Sequence, residues 1–291
     1  MFLAPDFLKK GDKVYILSTA RKIAFSEIEI ALKTIADWGL EIVVGETIGA
    51  EDHQYAGDDA LRLKDFQKAI NDPSIKAIIC AKGGYGTVRI LDAIDWSGFL
   101  KHPKWICGFS DVTYLHTHIV HQFGVQTIHS PMLSTFPGNT PDAIDSLRKA
   151  LFGEAISYNM LPSIYNKKGQ MNGIMVGGNL SILYSITGTK SGFDTTNKIL
   201  FIEDLDEYLY HIDRMMMNLK RSGKLQHLAG MIVGGFSDMH DNQVPFGKNA
   251  YEIILDACSA YDFPILFDFP AGHIADNHAI YLGKEFNFLV N

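Results

Sequence analysis

Residues 76–123, KAIICAKGGYGTVRILDAIDWSGFLKHPKWICGFSDVTYLHTHIVHQF, decide the fold. Two short apolar runs, 77–81 and 105–108, have the length of buried strands, and each passes through a glycine-containing turn into an amphipathic stretch, 87–94 and 112–123. A repeated strand, turn and helix predicts parallel strands joined by crossover helices that cover both faces of a sheet. The pattern continues outward. Upstream, 13–18 reads as a strand, 25–39 as a helix with Ile28, Leu32 and Ile35 on one face, 40–44 as a strand and 61–71 as a helix. Downstream, 125–128 reads as a strand and 142–152 as a helix introduced by Thr140-Pro141.

Residues 157–173, SYNMLPSIYNKKGQMNG, are polar, carry Pro162 and Gly169 and follow neither period, so a boundary is expected there between units 1–160 and 171–291. The second unit reads as strands at 173–176, 199–202, 231–233 and 265–267, helices at 209–221 and 250–260, and two last strands within 279–289 around Gly283-Lys284. The expected architecture is α/β: an N-terminal flavodoxin-like parallel-sheet domain followed by a smaller C-terminal α/β domain with an antiparallel ending.

Composition narrows the function. With 47% hydrophobic and 20% charged residues, the 291-residue chain is globular. A net charge of 26 − 33 = −7 lacks the basic field that holds a phosphate backbone, so nucleic acid is not an expected partner. No run reaches the 18 apolar residues of a membrane span, so a membrane is not expected either. The start, MFLAPDFLKKGDKVYIL, has Lys9, Lys10, Asp12 and Lys13 where an export signal needs apolar residues, and the three cysteines are far apart. A cytoplasmic location is expected.

Ligands of open parallel sheets bind beyond the carboxyl ends of strands, so those ends are where chemistry is sought. Lys82-Gly83-Gly84-Tyr85-Gly86 offers backbone N–H groups beside a helix start, and reads either as an anion or oxyanion cradle or as a tight turn. Gly108-Phe109-Ser110-Asp111 would set a serine on a sharp strand-to-helix turn with the Asp111 N–H beside it; a helix-capping serine is the competing reading. A serine nucleophile needs a histidine base steadied by a carboxylate. His273 and Glu203 are candidates, with Asp204, Asp206 and Glu207 competing for the carboxylate role. Arg21, after the first strand, reads as a substrate contact or as a solvated side chain.

No metal or other cofactor is expected: of His116, His118 and His121 only the last two share a helix face, and HExxH is absent. Cys80 and Cys107 lie in apolar strands and read as inert packing. Met215, Met216 and Met217 read as core or subunit contact, and Asp213-Arg214 as a salt bridge behind Glu203.

Together these segments resemble the LD-carboxypeptidase family of serine peptidases, which includes muramoyltetrapeptide carboxypeptidases and, more distantly, microcin C immunity peptidases. The resemblance rests on KGGYGTVRILDAIDW (82–96), GFSDVT (108–113), GGNLS (177–181), LFIEDLDEYLYHIDRMM (200–216), GGFSD (234–238) and AGH (271–273). It implies a homodimeric, metal-free enzyme that cuts the terminal D-alanine from murein tetrapeptides. It also implies Ser110 as nucleophile, Glu203 as the orienting carboxylate and His273 as base, with the Gly84 and Asp111 N–H groups as oxyanion hole. Gly83, Lys82 and Tyr85 would contact substrate, Lys82 facing the terminal carboxylate. Two alternatives stand beside this reading: an immunity-type hydrolase of peptidyl nucleotides, and a non-catalytic binding protein.

Overall fold

The computed structural model describes residues 2–160 and 162–291; Leu161, inside the expected linker, lies outside the described residues. The first half runs β1 (Lys13–Leu17), α1 (Phe25–Asp37), β2 (Glu41–Val44), α2 (Asp59–Asn71), β3 (Ile75–Cys80), α3 (Thr87–Leu91), α4 (Ser97–Lys101), β4 (Trp105–Gly108), α5 (Thr113–His118), β5 (Thr127–His129) and α6 (Pro141–Phe152). The second runs β6 (Gly169–Asn179), α7 (Leu180–Ile186), β7 (Lys198–Leu205), α8 (Leu209–Arg221), β8 (Gly230–Ser237), α9 (Ala250–Cys258), β9 (Ile265–Leu266), β10 (Ile280–Leu282) and β11 (Glu285–Val290).

The first sheet has the order β10-β5-β4-β3-β1-β2. Strands β1 to β5 are mutually parallel in the flavodoxin-like order 2-1-3-4-5. The order in which strands are added switches from one side of β1 to the other between β2 and β3, so the loops that follow β1 and β3 open a crevice at the carboxyl edge. The second sheet, β11-β6-β7-β8-β9, is parallel from β6 to β9 with β11 antiparallel at its edge. The α/β expectation holds for both halves.

Three expectations are corrected. The last two strands do not form a hairpin with each other: β10 pairs antiparallel with β5 of the first sheet, and β11 with β6 of the second. The turn at Gly283 (φ +86) therefore bridges two sheets, and a short apolar strand flanked by glycine carries no local mark of which edge it covers. The expected linker ends early, because residues 169–173 already pair in β6. Residues 112–123 are not one α-helix: a short 3-10 turn (Ser110–Val112) precedes α5, and residues 119–123 widen into a π-turn.

Helices α5 and α7 join the halves. Thr113 Oγ1 accepts the Asn179 N–H (3.2 Å), Tyr114 Oη and Ser185 Oγ share a hydrogen bond (2.7 Å), and His118 Nδ1 bonds Ser191 Oγ (2.8 Å). One apolar cluster contains Ile78, Ile106 and Leu115 from the first half and Leu183, Leu200 and Met215 from the second. Met215 and Met216 are core, while Met217 is partly exposed. Asp213 and Arg214 do not pair; neighbouring helix positions diverge by about 100°, and Arg214 instead lies over the Tyr210 ring, 5.2 Å from its centroid. All three cysteines are buried and free, and burial pushes the Cys80 thiol up to about 12. Among the described residues no helix is long and apolar enough to cross a membrane.

Candidate active site

Strand β4 ends at Gly108, Phe109 stays extended, and Ser110 follows with φ +60. That left-handed conformation costs a side-chain-bearing residue roughly 1–2 kcal/mol. It turns the chain sharply at the sheet edge and leaves Ser110 half-buried on the wall of a cavity of about 420 Å³. The His116 ring bonds the Gly108 carbonyl (2.8 Å) and anchors the strand end just before the turn. Burial pushes the His116 imidazole down to about 3, so it is neutral and Nε2–H is the donor. The capping-serine reading is set aside: Ser110 makes no capping bond, and it is Asp111 whose Oδ2 accepts the Thr87 N–H (2.8 Å) at the start of α3.

The glycine loop that follows β3 abuts this turn. A Cβ added at Gly83 would stand 3.1 Å from Ser110 Cβ and 3.3 Å from its Oγ, so a side chain there would crowd the serine by a few tenths of an ångström. Arg62, buried on α2, holds the loop from behind by donating Nη1–H to the carbonyls of Thr19 (2.7 Å) and Gly86 (2.9 Å). Within the described residues no protein acceptor takes the N–H of Gly84 or of Asp111. Gly83, Gly84, Tyr85 and Lys82 all line the cavity.

The third wall comes from the second sheet. Successive residues of a strand point to opposite faces, and this separates the competing carboxylates. Glu203, fully buried near the end of β7, faces His273, whose Nδ1 lies 2.6 Å from Glu203 Oε2; the same oxygen accepts the His273 backbone N–H (3.2 Å). Asp204 faces the other way, accepting from Asn179 Nδ2 (2.9 Å), the Ser181 N–H (2.9 Å) and Ser181 Oγ (2.8 Å) at the start of α7. Asp206 pairs with His240 and Glu207 with His211. The turn carrying His273 is pinned to β8: Gly235 N–H donates to the Ala271 carbonyl (2.9 Å) and Ser237 Oγ–H to the His273 carbonyl (2.9 Å).

Electrostatics fit a base. Burial works against a charged His273, but the adjacent Glu203 outweighs it, by charge and by hydrogen bond, and holds the imidazole above its ordinary pKa. Burial likewise works against the Glu203 anion, and His273 more than offsets it, keeping the carboxyl below its usual range. Glu203 Oε1 is buried without a partner among the described residues, so His273 is the main stabiliser of that charge. With Nδ1 committed, Nε2 is left for the cavity. The His273 ring packs on Phe109 with centroids 4.7 Å apart. Ser110 and His273 line one cavity and are not hydrogen-bonded to each other; in unliganded enzymes such contacts are often open. A hydroxyl, an imidazole and a buried carboxylate so arranged can transfer acyl groups.

Several supporting residues escaped the sequence reading. Asn277, fully buried, accepts the Gly272 N–H (2.8 Å) and lies 3.3 Å from His129 Nε2; burial pushes His129 down to about 4. Asp204, Asn179 and Arg62 act as braces whose partners are distant in sequence, so spacing could not reveal them. The polar run Asp276-Asn277-His278 beside AGH was the one available signal. Among the described residues no three His, Cys, Asp or Glu side chains cluster as metal ligands.

One test arises directly. Gly272 has φ +105, and a Cβ there would lie 2.7 Å from Glu203 Cβ and 2.8 Å from its Oε2. Gly272→Ala is expected to cost about 2–4 kcal/mol of stability in urea titration, from strain plus overpacking. A change below about 0.5 kcal/mol would contradict this packing.

Comparisons with known proteins bear on family and fold. Residues 14–130 match the LD-carboxypeptidase N-terminal domain and residues 172–288 the LD-carboxypeptidase C-terminal domain. The chain is 37% identical over 288 residues to a probable murein peptide carboxypeptidase of Bacillus subtilis (strain 168), spanning 97% of this chain and 90% of that one. It is 27% identical over 283 residues to the murein tetrapeptide carboxypeptidase of Pseudomonas aeruginosa, spanning 94% and 91%. Its fold resembles muramoyltetrapeptide carboxypeptidase from Oxalobacter formigenes (TM-score 0.85, 22% identity, 96% and 95% covered). It also resembles microcin C7 self immunity protein MccF in complex with aspartyl sulfamoyl adenosine (TM-score 0.86, 21% identity, 100% and 96% covered). With both halves matched in order and a 37% identical relative spanning nearly the whole chain, the protein belongs to the LD-carboxypeptidase family.

Proposed function

We propose that this chain is a serine LD-carboxypeptidase that releases the terminal D-alanine from murein tetrapeptides. The observation that carries the reading is that His273, paired with the buried Glu203 (2.6 Å), lines one cavity with Ser110 on its strained turn. His273 Nε2 takes the Ser110 proton as Oγ attacks the scissile carbonyl, and Glu203 steadies the imidazolium. The N–H groups of Gly84 and Asp111 hold the oxyanion; loss of one such donor costs about 10²–10³ in rate. The imidazolium then protonates the leaving D-alanine amine, and water, deprotonated by His273, cleaves the Ser110 ester. The name of the Pseudomonas aeruginosa relative supports this substrate class.

The test is incubation with a murein tetrapeptide and assay of free D-alanine. Release by wild type and its loss in Ser110→Ala are expected; undiminished release by that variant would overturn the nucleophile. A second reading, hydrolysis of an aminoacyl nucleotide, has one observation in its favour: Tyr85 lines the cavity, is 45% exposed and lies 6.3 Å from Tyr55, an aromatic surface on which a base could stack. Turnover of aspartyl sulfamoyl adenosine without D-alanine release would establish it instead. A bare binding protein would have no use for a serine on a strained turn that shares a cavity with a histidine held by a buried carboxylate. The proposed enzyme is a cytoplasmic homodimer, checked by sedimentation equilibrium. It needs both segments, since residues 1–160 carry Ser110 and 171–291 carry Glu203 and His273.

A further inference from the structure

Two basic side chains line the cavity, Arg21 and Lys82. They differ in what already neutralises them. Lys82 Nζ lies 3.6 Å from Glu27 Oε2, and Glu27, the third residue of α1, is itself held by its Oε1 accepting the N–H of the N-cap residue Ala24 (2.8 Å). Arg21 forms no ion pair and no side-chain hydrogen bond among the described residues, although its backbone is fixed at both ends: N–H to the Gly83 carbonyl (3.2 Å) and C=O from Ser18 Oγ (2.6 Å). Its stem lies against Gly84, close enough that a Cβ there would meet Arg21 Cδ at 2.5 Å. Gly84 is next to Gly83, which touches Ser110. Asp206 and Glu207 also line the cavity, and carboxylates disfavour an anion in their own vicinity.

An exopeptidase must bind a free carboxylate one residue, about 3.8 Å, beyond the scissile peptide. A guanidinium meets it with two parallel N–H donors, which an ammonium cannot do. We propose that Arg21, and not Lys82, binds the free carboxylate of the departing residue and so makes this site a carboxypeptidase. The inference rests on the peptidase reading above and adds the residue that sets its preference for a chain end.

The experiment compares kcat/KM for a murein tetrapeptide and for the same peptide amidated at its C-terminus. Wild type is expected to prefer the acid. Arg21→Met is expected to lower kcat/KM for the acid about 10- to 100-fold, the loss of a charge-assisted contact, and to change the amide by less than about threefold. Arg21→Lys should keep part of the preference, because charge remains without the fork. An unchanged acid-to-amide ratio in Arg21→Met, or a ratio that collapses in Lys82→Met instead, overturns the inference while leaving the peptidase reading intact. Equal turnover of acid and amide by wild type overturns it as well. Wild type that cleaves neither peptide overturns the peptidase reading itself, and this inference with it.

Discussion

Alanine in place of Ser110 is expected to lower D-alanine release from a murein tetrapeptide by roughly 10⁶-fold, the loss seen when a serine hydrolase forfeits its nucleophile. The substitution is also informative about stability. At φ +60 both serine and alanine carry the left-handed penalty of roughly 1–2 kcal/mol, whereas glycine does not. Glycine adds about 0.4–1 kcal/mol of unfolded-state entropy, less than the strain it relieves. Ser110→Gly is therefore expected to be as inactive as Ser110→Ala but more stable by about 1 kcal/mol, read as a higher urea midpoint. Equal stability of the two variants would mean that the turn is not strained, and an active Ser110→Ala would remove the nucleophile assignment.

Glu203→Gln is expected to lower kcat by about 10⁴-fold, because an amide can present the wrong group to Nδ1 and cannot balance an imidazolium. The pH profile gives an independent readout. In the wild type Glu203 outweighs burial and raises the His273 pKa, so the acid limb of kcat/KM should have its midpoint above the ordinary histidine value of about 6.5. Below that midpoint His273 holds its proton and cannot act as base. Removing the carboxylate leaves burial as the dominant influence, which disfavours the charged ring, so the limb should move to lower pH in the variant. A limb that stays in place would show that Glu203 does not govern His273. Asp204→Asn offers a contrast: Asp204, raised to about 6 by burial and by Glu203, braces α7 from the other face of the strand. Its loss should reduce stability by about 1–3 kcal/mol through unpaired donors while shifting the acid limb less than Glu203→Gln does.

Most elements were legible because their signals are local. The apolar alternation of 13–18 and 77–81, the Ile28-Leu32-Ile35 face and the Thr140-Pro141 cap each depend on neighbours a few residues away. Helix α7 was missed because its seven residues follow β6 with no intervening loop and are too few to show a helical period, although Gly177-Gly178 and its cap Asn179, read only as part of a motif, stand directly before it. The pairing of β10 was missed because three apolar residues suit either sheet edge. In the site, the residue types were legible but the partnerships were not. Four acidic residues lie at the end of β7 or just beyond it, and only the alternation of strand faces, together with the turn of 271–273 docked on Gly235 and Ser237, brings Glu203 rather than Asp204 to His273.

The sequence by itself determined an acidic α/β chain with glycine and serine turns at the ends of parallel strands, since strand, helix and turn preferences act over spans shorter than about one helical turn or strand. Tertiary structure decided the pairing of Glu203 with His273, 70 residues apart, the seating of β10 in the first sheet, and the contrast between Lys82, near Glu27, and Arg21, which has no ion-pair partner among the described residues. Those outcomes depend on which faces meet when two sheets pack, and hydrogen bonds and charges act over a few ångströms of space whatever their separation along the chain.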